Sequence, residues 1–340
     1  MNRLSSAPLV AIVTPVYNGE KFLTETLECV QSLDYPNLVH VVHDNCSADR
    51  TPEIIEQFKG RRVPIVTRRL SAVVPMARNW NEAVRLVPEE AGYFWLLCAD
   101  DLLTPDSIRK VVDVAESDRR ISVVGCHWNG EGLCGTELPR EVSVFDGHDM
   151  IRRYLRRETM VLSGMNVLFR VSSPLKDTWF YDESITSFDS DVNLRLLMNG
   201  RYGFVHEELL IWRKHADSTW STTSTKHLDY VADWLILLDR YGTYVLGHRE
   251  YLKYRKAYRN YLLRRLLLRR WKLGQKDEYR LYMNELKAHD DEPGLLDFAD
   301  ALLDWGKYAV AGRRDRIGIP LQVSDGPVTG GGLAIRQPRI

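Results

Sequence analysis

The sequence predicts an α/β protein with a doubly wound, mostly parallel central sheet and an all-helical C-terminal extension. Three observations carry this expectation. Short apolar runs recur through the first two thirds of the chain, and segments of helical spacing alternate with them. From about Lys226 onward the texture becomes helical throughout.

Leu9 to Pro15 reads as a buried first strand, stopped by Pro15. Tyr17-Asn18-Gly19 makes a turn, and residues 20–33 show helical spacing through Phe22, Leu23, Leu27 and Val30. Leu38 to Val42 is a second strand ending at His43-Asp44-Asn45. Thr51 can cap the next helix, and Pro52 suits its first turn. Residues 63–66 read as a third strand and residues 76–87 as a helix. The centre of the pattern is 93–101, Tyr-Phe-Trp-Leu-Leu-Cys-Ala-Asp-Asp. Its apolar run lacks helical spacing, as expected of a strand buried on both faces, and it ends in two adjacent carboxylates. A helix from Pro105 to about Ser117 follows, then strands at 121–125, 166–170, 203–206 and 209–213, with a helix over 187–199. Residues 127–148, rich in Gly and turn formers, carry no assignable pattern. Helices are expected near 230–239, 249–272, 276–288 and 295–308. The chain beyond Arg313, with Gly330-Gly331-Gly332 and no periodicity, reads as a disordered tail.

A length of 340 residues suits about two domains, and 44% hydrophobic with 27% charged residues is ordinary for a globular protein. The formal net charge of zero gives no global attraction to nucleic acid, so electrostatic partners must be sought in local clusters. Five cysteines without C-x-x-C spacing favour reduced thiols and a cytoplasmic setting. Residues 1–8 show no apolar signal-peptide core, and no run approaches the roughly 18 apolar residues of a membrane span. The chain is therefore expected to be soluble or at most peripheral, at the inner face of the membrane. Residues 249–272 alternate Arg or Lys with Tyr, Leu and Trp. Two readings stay open there: a membrane-surface helix, or a helix packed on the preceding α/β domain with its arginines solvated or paired to the acids of 277–304.

Asp100 and Asp101 repel each other unless water, a cation or a metal offsets their charge. A hard divalent cation bridging them to a phosphate is one reading, since the carboxyl ends of parallel strands are where open α/β sheets bind ligands. The other is that Asp101 or Thr104 caps the helix after Pro105.

Taken in order, four segments carry a resemblance: 10–18 (Val-Ala-Ile-Val-Thr-Pro-Val-Tyr-Asn), 41–51 (Val-Val-His-Asp-Asn-Cys-Ser-Ala-Asp-Arg-Thr), Ala77-Arg78-Asn79, and Ala99-Asp100-Asp101 with Pro105. Over about residues 8–218 the chain resembles a family 2 glycosyltransferase of the GT-A fold. The expected domains are then 8–218 (GT-A), 226–312 (helical extension) and 313–340 (tail). The resemblance implies inverting transfer of a sugar from a nucleotide-diphosphate donor, assisted by Mn²⁺ or Mg²⁺. UDP is favoured through Asp44. The acceptor would be a hydroxyl of a glycan or lipid-linked molecule, as in surface polysaccharide synthesis.

The same resemblance implies site residues. Thr14, Pro15, Val16, Tyr17 and Asn18 would hold base and ribose, with Tyr17 beside the base and Asp44 accepting its N–H. Arg78 would contact donor phosphate or base, a group that suits a planar guanidinium. Asp100 would meet donor and metal, with Asp101 as second ligand. The segment Phe188-Asp189-Ser190-Asp191 matches the family's Glu-Asp-x-Asp, with Asp189 as general base and Asp191 in reserve. His215, in Trp212-Arg213-Lys214-His215, would approach diphosphate or metal. The bland alternatives are a turn-packing Tyr17, an N-cap at Asp44, a surface Arg78, helix-start acids at 189 and 191, and a structural His215.

The sequence departs from the pattern twice: Cys98 stands where many relatives carry an Asp, and Phe188 replaces the Glu. These departures keep open a catalytically impaired module that binds nucleotide or serves as a scaffold. A nucleotidyltransferase lacks its Gly-rich loop here, and no G-x-G-x-x-G supports a dehydrogenase.

Overall fold

The computed structural model describes residues 7–129, 138–162, 166–171, 180–213, 215, 228–288 and 291–310; the tail expected at 313–340 lies outside them. The chain forms two compact units. The first comprises 1–154, 159–183 and 187–214, and the second 155–158, 184–186 and 215–340.

In the first unit the order is β1 (Leu9–Val16), α1 (Leu23–Ser32), β2 (Leu38–Asp44), α2 (Thr51–Gln57), β3 (Ile65–Arg69), α3 (Met76–Val84), β4 (Ala91–Leu96), β5 (Leu102–Leu103), α4 (Ser107–Ser117), β6 (Ile121–Trp128), β7 (Val144–Asp146), α5 (Gly147–Leu155), β8 (Val167–Arg170), α6 (Phe188–Leu197) and β9 (Arg201–Ile211). The strands form one sheet in the order β3-β2-β1-β4-β8-β6-β9-β5, with β7 also on β9. Pairing is parallel from β3 to β4 and again between β6 and β9. Strand β8 enters antiparallel between β4 and β6, so the parallel expectation describes the first half of a mixed sheet. The central strands are apolar on both faces because helices cover both. Val10, Ile12, Tyr93 and Trp95 join a core with α1 and α4, and Val16 and Val42 pack under α1 and α2.

Three expectations needed correction. Pro15 does not stop β1, which continues to Val16 beside β2. The pairing with β4 has already ended at Val13, so the missing Pro N–H leaves no central ladder incomplete. The two strands expected at 203–206 and 209–213 are one, β9, interrupted only by irregular pairing with β6 where Glu207 and Glu208 stand exposed. The organising strand ends at Leu96, before the acids, which leaves Asp100 and Asp101 on a turn.

The second unit contains α7 (Leu228–Val245), α8 (His248–Trp271), α9 (Lys276–Ala288) and α10 (Leu295–Val310). Val231, Leu262, Leu263, Leu266, Tyr282, Leu286 and Ala301 form its core. Several basic residues of α8 are paired: Arg255 with Asp239 and Asp291, Arg259 with Asp291 and Asp297, and Lys256 with Asp300. Of these acids, Asp291, Asp297 and Asp300 lie within 277–304 and Asp239 lies on α7. Among the described residues, no helix is long and apolar enough to cross a membrane.

Candidate active site

The acid loop is built by tertiary contacts. Leu97 N–H reaches Val13 O at 2.9 Å, after which the chain turns and Asp101 N–H closes onto Cys98 O at 3.1 Å. The Thr26 hydroxyl on α1 donates to Ala99 O at 2.8 Å. Arg213, just past β9, fastens the other side. Its backbone N–H donates to Asp101 Oδ1 at 3.1 Å, and its guanidinium donates to Asp100 O, the Glu25 carboxylate and Thr26 Oγ1. Neither Asp101 nor Thr104 caps α4 with its side chain.

This turn brings ligand atoms of Cys98, Asp100 and Asp101 within 4.8 Å of one another. Burial, reinforced by the charge of Asp100, pushes the Asp101 carboxyl up to about 7, against the lowering effect of Arg213. A divalent cation would relieve that repulsion, so the donor set fits one: two carboxylates suit Mg²⁺ or Mn²⁺, and Cys98 adds a softer sulfur. His215 belongs to the second unit and is not part of this group.

A third acid acts on the same thiol through its charge. Asp189 starts α6, where Ser190 N–H donates to its Oδ1 at 2.7 Å. Burial outweighs that hydrogen bond and pushes the carboxyl up to about 6. The Cys98 thiol is raised by burial and then by the charges of Asp101, Asp100 and Asp189, so acids from two distant segments act on one sulfur. Asp191, one turn position on, is buried.

The placement of Asp189 depends on residues that show no local pattern. Phe188 is buried, edge-on to Trp80 at 5.0 Å and to Tyr181 at 5.6 Å. Asn81 holds Tyr181 by both backbone groups: Tyr181 N–H donates to Asn81 Oδ1 at 2.7 Å, and Asn81 Nδ2 donates to Tyr181 O at 2.9 Å. Phe188 is therefore an anchor in an aromatic cluster at the position where the family pattern has an acid.

The remaining predicted residues line the carboxyl ends of β1 and β2. Thr14 turns its hydroxyl inward to His40 Nε2 at 2.9 Å, and burial lowers His40 to about 3, which keeps the ring neutral. Pro15 and Val16 are buried as Thr14 is, and Val16 O accepts Asn45 N–H, so the side chains of 14–16 are packed inside the unit. Tyr17, by contrast, is 51% exposed. Asn18 adopts φ 49°, with its N–H on Ser47 Oγ and its Oδ1 accepting Ala48 N–H, both at 2.9 Å. Asn45 grips Val74 through both backbone groups at 2.9 Å.

Asp44 is buried. Its Oδ1 accepts Ser47 N–H at 2.9 Å and its Oδ2 lies 3.1 Å from Arg69 Nε, so it closes the 44–47 turn rather than capping α2. Arg78 is exposed in the first turn of α3. The next residue, Asn79, faces inward to His43 Nδ1 at 2.7 Å. Sequence reasoning missed Thr26, Asn45, Trp80, Asn81 and Arg213 as positioning residues. Two of them had a signal: Arg213 in the Trp-Arg-Lys-His segment and Asn45 in the 41–51 segment.

Residues 11–174 match the family model described as Glycosyl transferase family 2. Similar curated proteins include the minor teichoic acid biosynthesis protein GgaA of Bacillus subtilis, 25% identical over 72% of this chain and 58% of that protein. The protein y4gI of Sinorhizobium fredii is 31% identical over 43% of this chain and 18% of its own length. The chain thus spans less than two thirds of either relative. Among solved structures, S. aureus TarS 1–349 in complex with UDP-GlcNAc superposes with TM-score 0.63 at 15% identity, covering 90% of this chain and 93% of that one. The mannosyltransferase PcManGT of Pyrobaculum calidifontis, in complex with GDP-Man and Mn²⁺, gives 0.52 at 16% identity over 93% and 85% of the two chains.

Proposed function

We propose that this chain, whose residues 11–174 match the Glycosyl transferase family 2 model, is a glycosyltransferase that moves a sugar from a UDP-sugar to a hydroxyl of a glycan or lipid-linked acceptor. The transfer inverts the anomeric centre and serves synthesis of a surface polysaccharide. The observation that carries the reading is that Asp100 and Asp101 stand beside Cys98 while Asp189, from a distant segment, also raises the same thiol through its charge. One acid pair suits a donor's cation-bound diphosphate, and a separate acid suits the acceptor. The teichoic acid name of GgaA and the UDP-GlcNAc of the TarS complex favour a surface polymer and a uridine donor.

In this reading Tyr17 and the 14–18 backbone hold base and ribose, Asp44 accepts a base N–H, and Arg78 meets phosphate. Asp100 and Asp101 hold Mn²⁺ or Mg²⁺, which supplies charge neutralisation of the departing diphosphate. Asp189 takes the proton of the acceptor hydroxyl as its oxygen forms the new bond to the anomeric carbon and the bond to the diphosphate breaks. With a carboxyl near 6, Asp189 is ionised at neutral pH yet more basic than an ordinary carboxylate. The test is release of UDP from a panel of UDP-sugars by the full chain with Mn²⁺. UDP release by the wild type that is lost in Asp189→Asn supports the reading, and turnover unchanged in the variant removes Asp189 as base. Failure of every UDP-sugar, with turnover of a GDP-sugar, overturns the uridine assignment alone.

A further inference from the structure

We propose that the Cys98 thiolate is itself a ligand of the cation held by the acid loop, and that it biases this site toward thiophilic divalent metals. The inference rests on the cation reading of Asp100 and Asp101 given above. Its basis is geometric. The sulfur and one oxygen from each carboxylate lie within 4.8 Å of one another, and no other group of three potential ligands this close occurs among the described residues. A cation at the centre of such a triangle is within bonding reach of all three atoms.

Two other described thiols, Cys29 and Cys126, are placed differently. The Cys29 thiol donates to Leu103 O and accepts Leu103 N–H, both at 3.2 Å, and Cys126 is buried beside Asn166 O at 3.6 Å. Cys98 stays partly accessible on the turn that also presents Asp100. Arg213 and Thr26 fix that turn through the backbone of residues 99–101 and through Asp101 Oδ1. The sulfur is thus held against the carboxylates by contacts that do not involve it.

The chemistry follows from donor softness. Mg²⁺ demands an octahedron of hard oxygen donors and keeps several waters, so a sulfur in its shell adds little. Thiolate donors select softer cations, and Mn²⁺ stands lowest among first-row divalent metals in affinity for mixed N, O and S sites. When such a cation binds, the S–H bond breaks, the proton leaves to solvent, and the sulfur lone pair forms the metal bond.

Cd²⁺, Mn²⁺ and Mg²⁺ are titrated separately into the full chain and into Cys98→Ser and Cys98→Asp, by calorimetry and by ultraviolet difference absorption. In the wild type, Cd²⁺ should give a sulfur-to-metal charge-transfer band that Cys98→Ser lacks. The Cd²⁺ affinity of the variant should fall by about tenfold or more, the scale on which changes around a metal site act. Its Mn²⁺ affinity should change less. Cys98→Asp should lose the band and gain affinity for Mg²⁺ and Mn²⁺. A measurement that needs no variant follows alkylation of Cys98 by peptide mass spectrometry: Cd²⁺ should protect it. A band that persists in Cys98→Ser, an unaltered Cd²⁺-to-Mn²⁺ ratio, or alkylation indifferent to Cd²⁺ each overturns the proposal. Mn²⁺ binding equally to wild type and Cys98→Ser, with no Cd²⁺ band in either, removes the sulfur ligand and leaves the proposed function standing. Absence of binding by all three cations removes both.

Discussion

Replacing Asp189 by Asn should lower turnover and raise stability together, and the two effects should have different pH dependences. A rise of the Asp189 carboxyl from 3.8 to about 6 means that folding disfavours its ionised form by up to about 3 kcal/mol, at ~1.4 kcal/mol per tenfold change in proton affinity. The cause is burial of the charge at the start of α6, offset only in part by Ser190 N–H. Asn keeps nearly the same shape without the charge.

The sign follows from linkage. Above about pH 6 the carboxyl is ionised in both the native and the unfolded chain, so the full penalty is present and the variant is the more stable. As pH falls from 6 towards 3.8, the native chain takes up its proton before the unfolded chain does, and the penalty disappears. The stability gap between variant and wild type should therefore be largest at neutral pH and close on acidification. Other groups, such as the buried neutral His40, titrate in both proteins and cancel in the difference. Turnover behaves otherwise: the wild-type rate should rise with pH through about 6, and the variant should lose about 10²–10⁴-fold at every pH where the base is ionised. Urea unfolding of both proteins across that pH range, alongside UDP release, reads both quantities. A variant less stable than wild type at neutral pH, or a gap that widens on acidification, would refute the argument that burial raises this carboxyl.

Three further outcomes are expected. Asn81→Ala removes two buried hydrogen bonds to Tyr181 and should cost about 2–4 kcal/mol, since both backbone groups lose partners; UDP-release kinetics should show kcat falling more than donor KM rises. Phe188→Glu puts a charge between Trp80 and Tyr181 and should destabilise by about 3–5 kcal/mol without raising activity, by urea unfolding and UDP release. Arg259→Ala strips Asp291 and Asp297 of a shared partner at 2.8 Å to each and should lower stability by about 1–3 kcal/mol in urea unfolding, while leaving UDP release at low denaturant unchanged.

How much of the molecule could be read from the chain depends on the range of the forces involved. Strands β1, β2 and β4 are contiguous apolar runs because helices cover both faces of the sheet, so their burial is written locally. The acids at 100–101 and 189 were legible because each stands at the junction of an apolar segment and a turn or helix start. Strand β9 was split in two because Glu207 and Glu208 interrupt its apolar pattern, although pairing with β6 resumes beyond them. Strand β7 and helix α5 were missed because 127–148 reads as turn formers. Gly147 itself is fixed by tertiary packing, since a Cβ there would come within 2.1 Å of Leu197 O. That constraint comes from a residue fifty positions away.

The residues that position the acids were the least legible, and for the same reason. Asn81 acts on Tyr181, and Arg213 acts on Asp100, Asp101 and Glu25. No periodicity joins partners so far apart in the chain. Phe188 shows what this means for interpreting a departure from a family pattern. A missing acid at that position reads as lost chemistry if the motif is treated as a row of ligands. In the fold, the side chain at 188 packs edge-on against Trp80 and Tyr181, while Asp189, its neighbour, is the acid near Cys98. A carboxylate at 188 would have to be desolvated in that aromatic cluster, at a cost of several kcal/mol. The substitution therefore exchanges a charge for an anchor, and it leaves the neighbouring acid, Asp189, in place. Cys98 is the opposite case, because its side chain faces the acids directly and a change there alters the donor set itself.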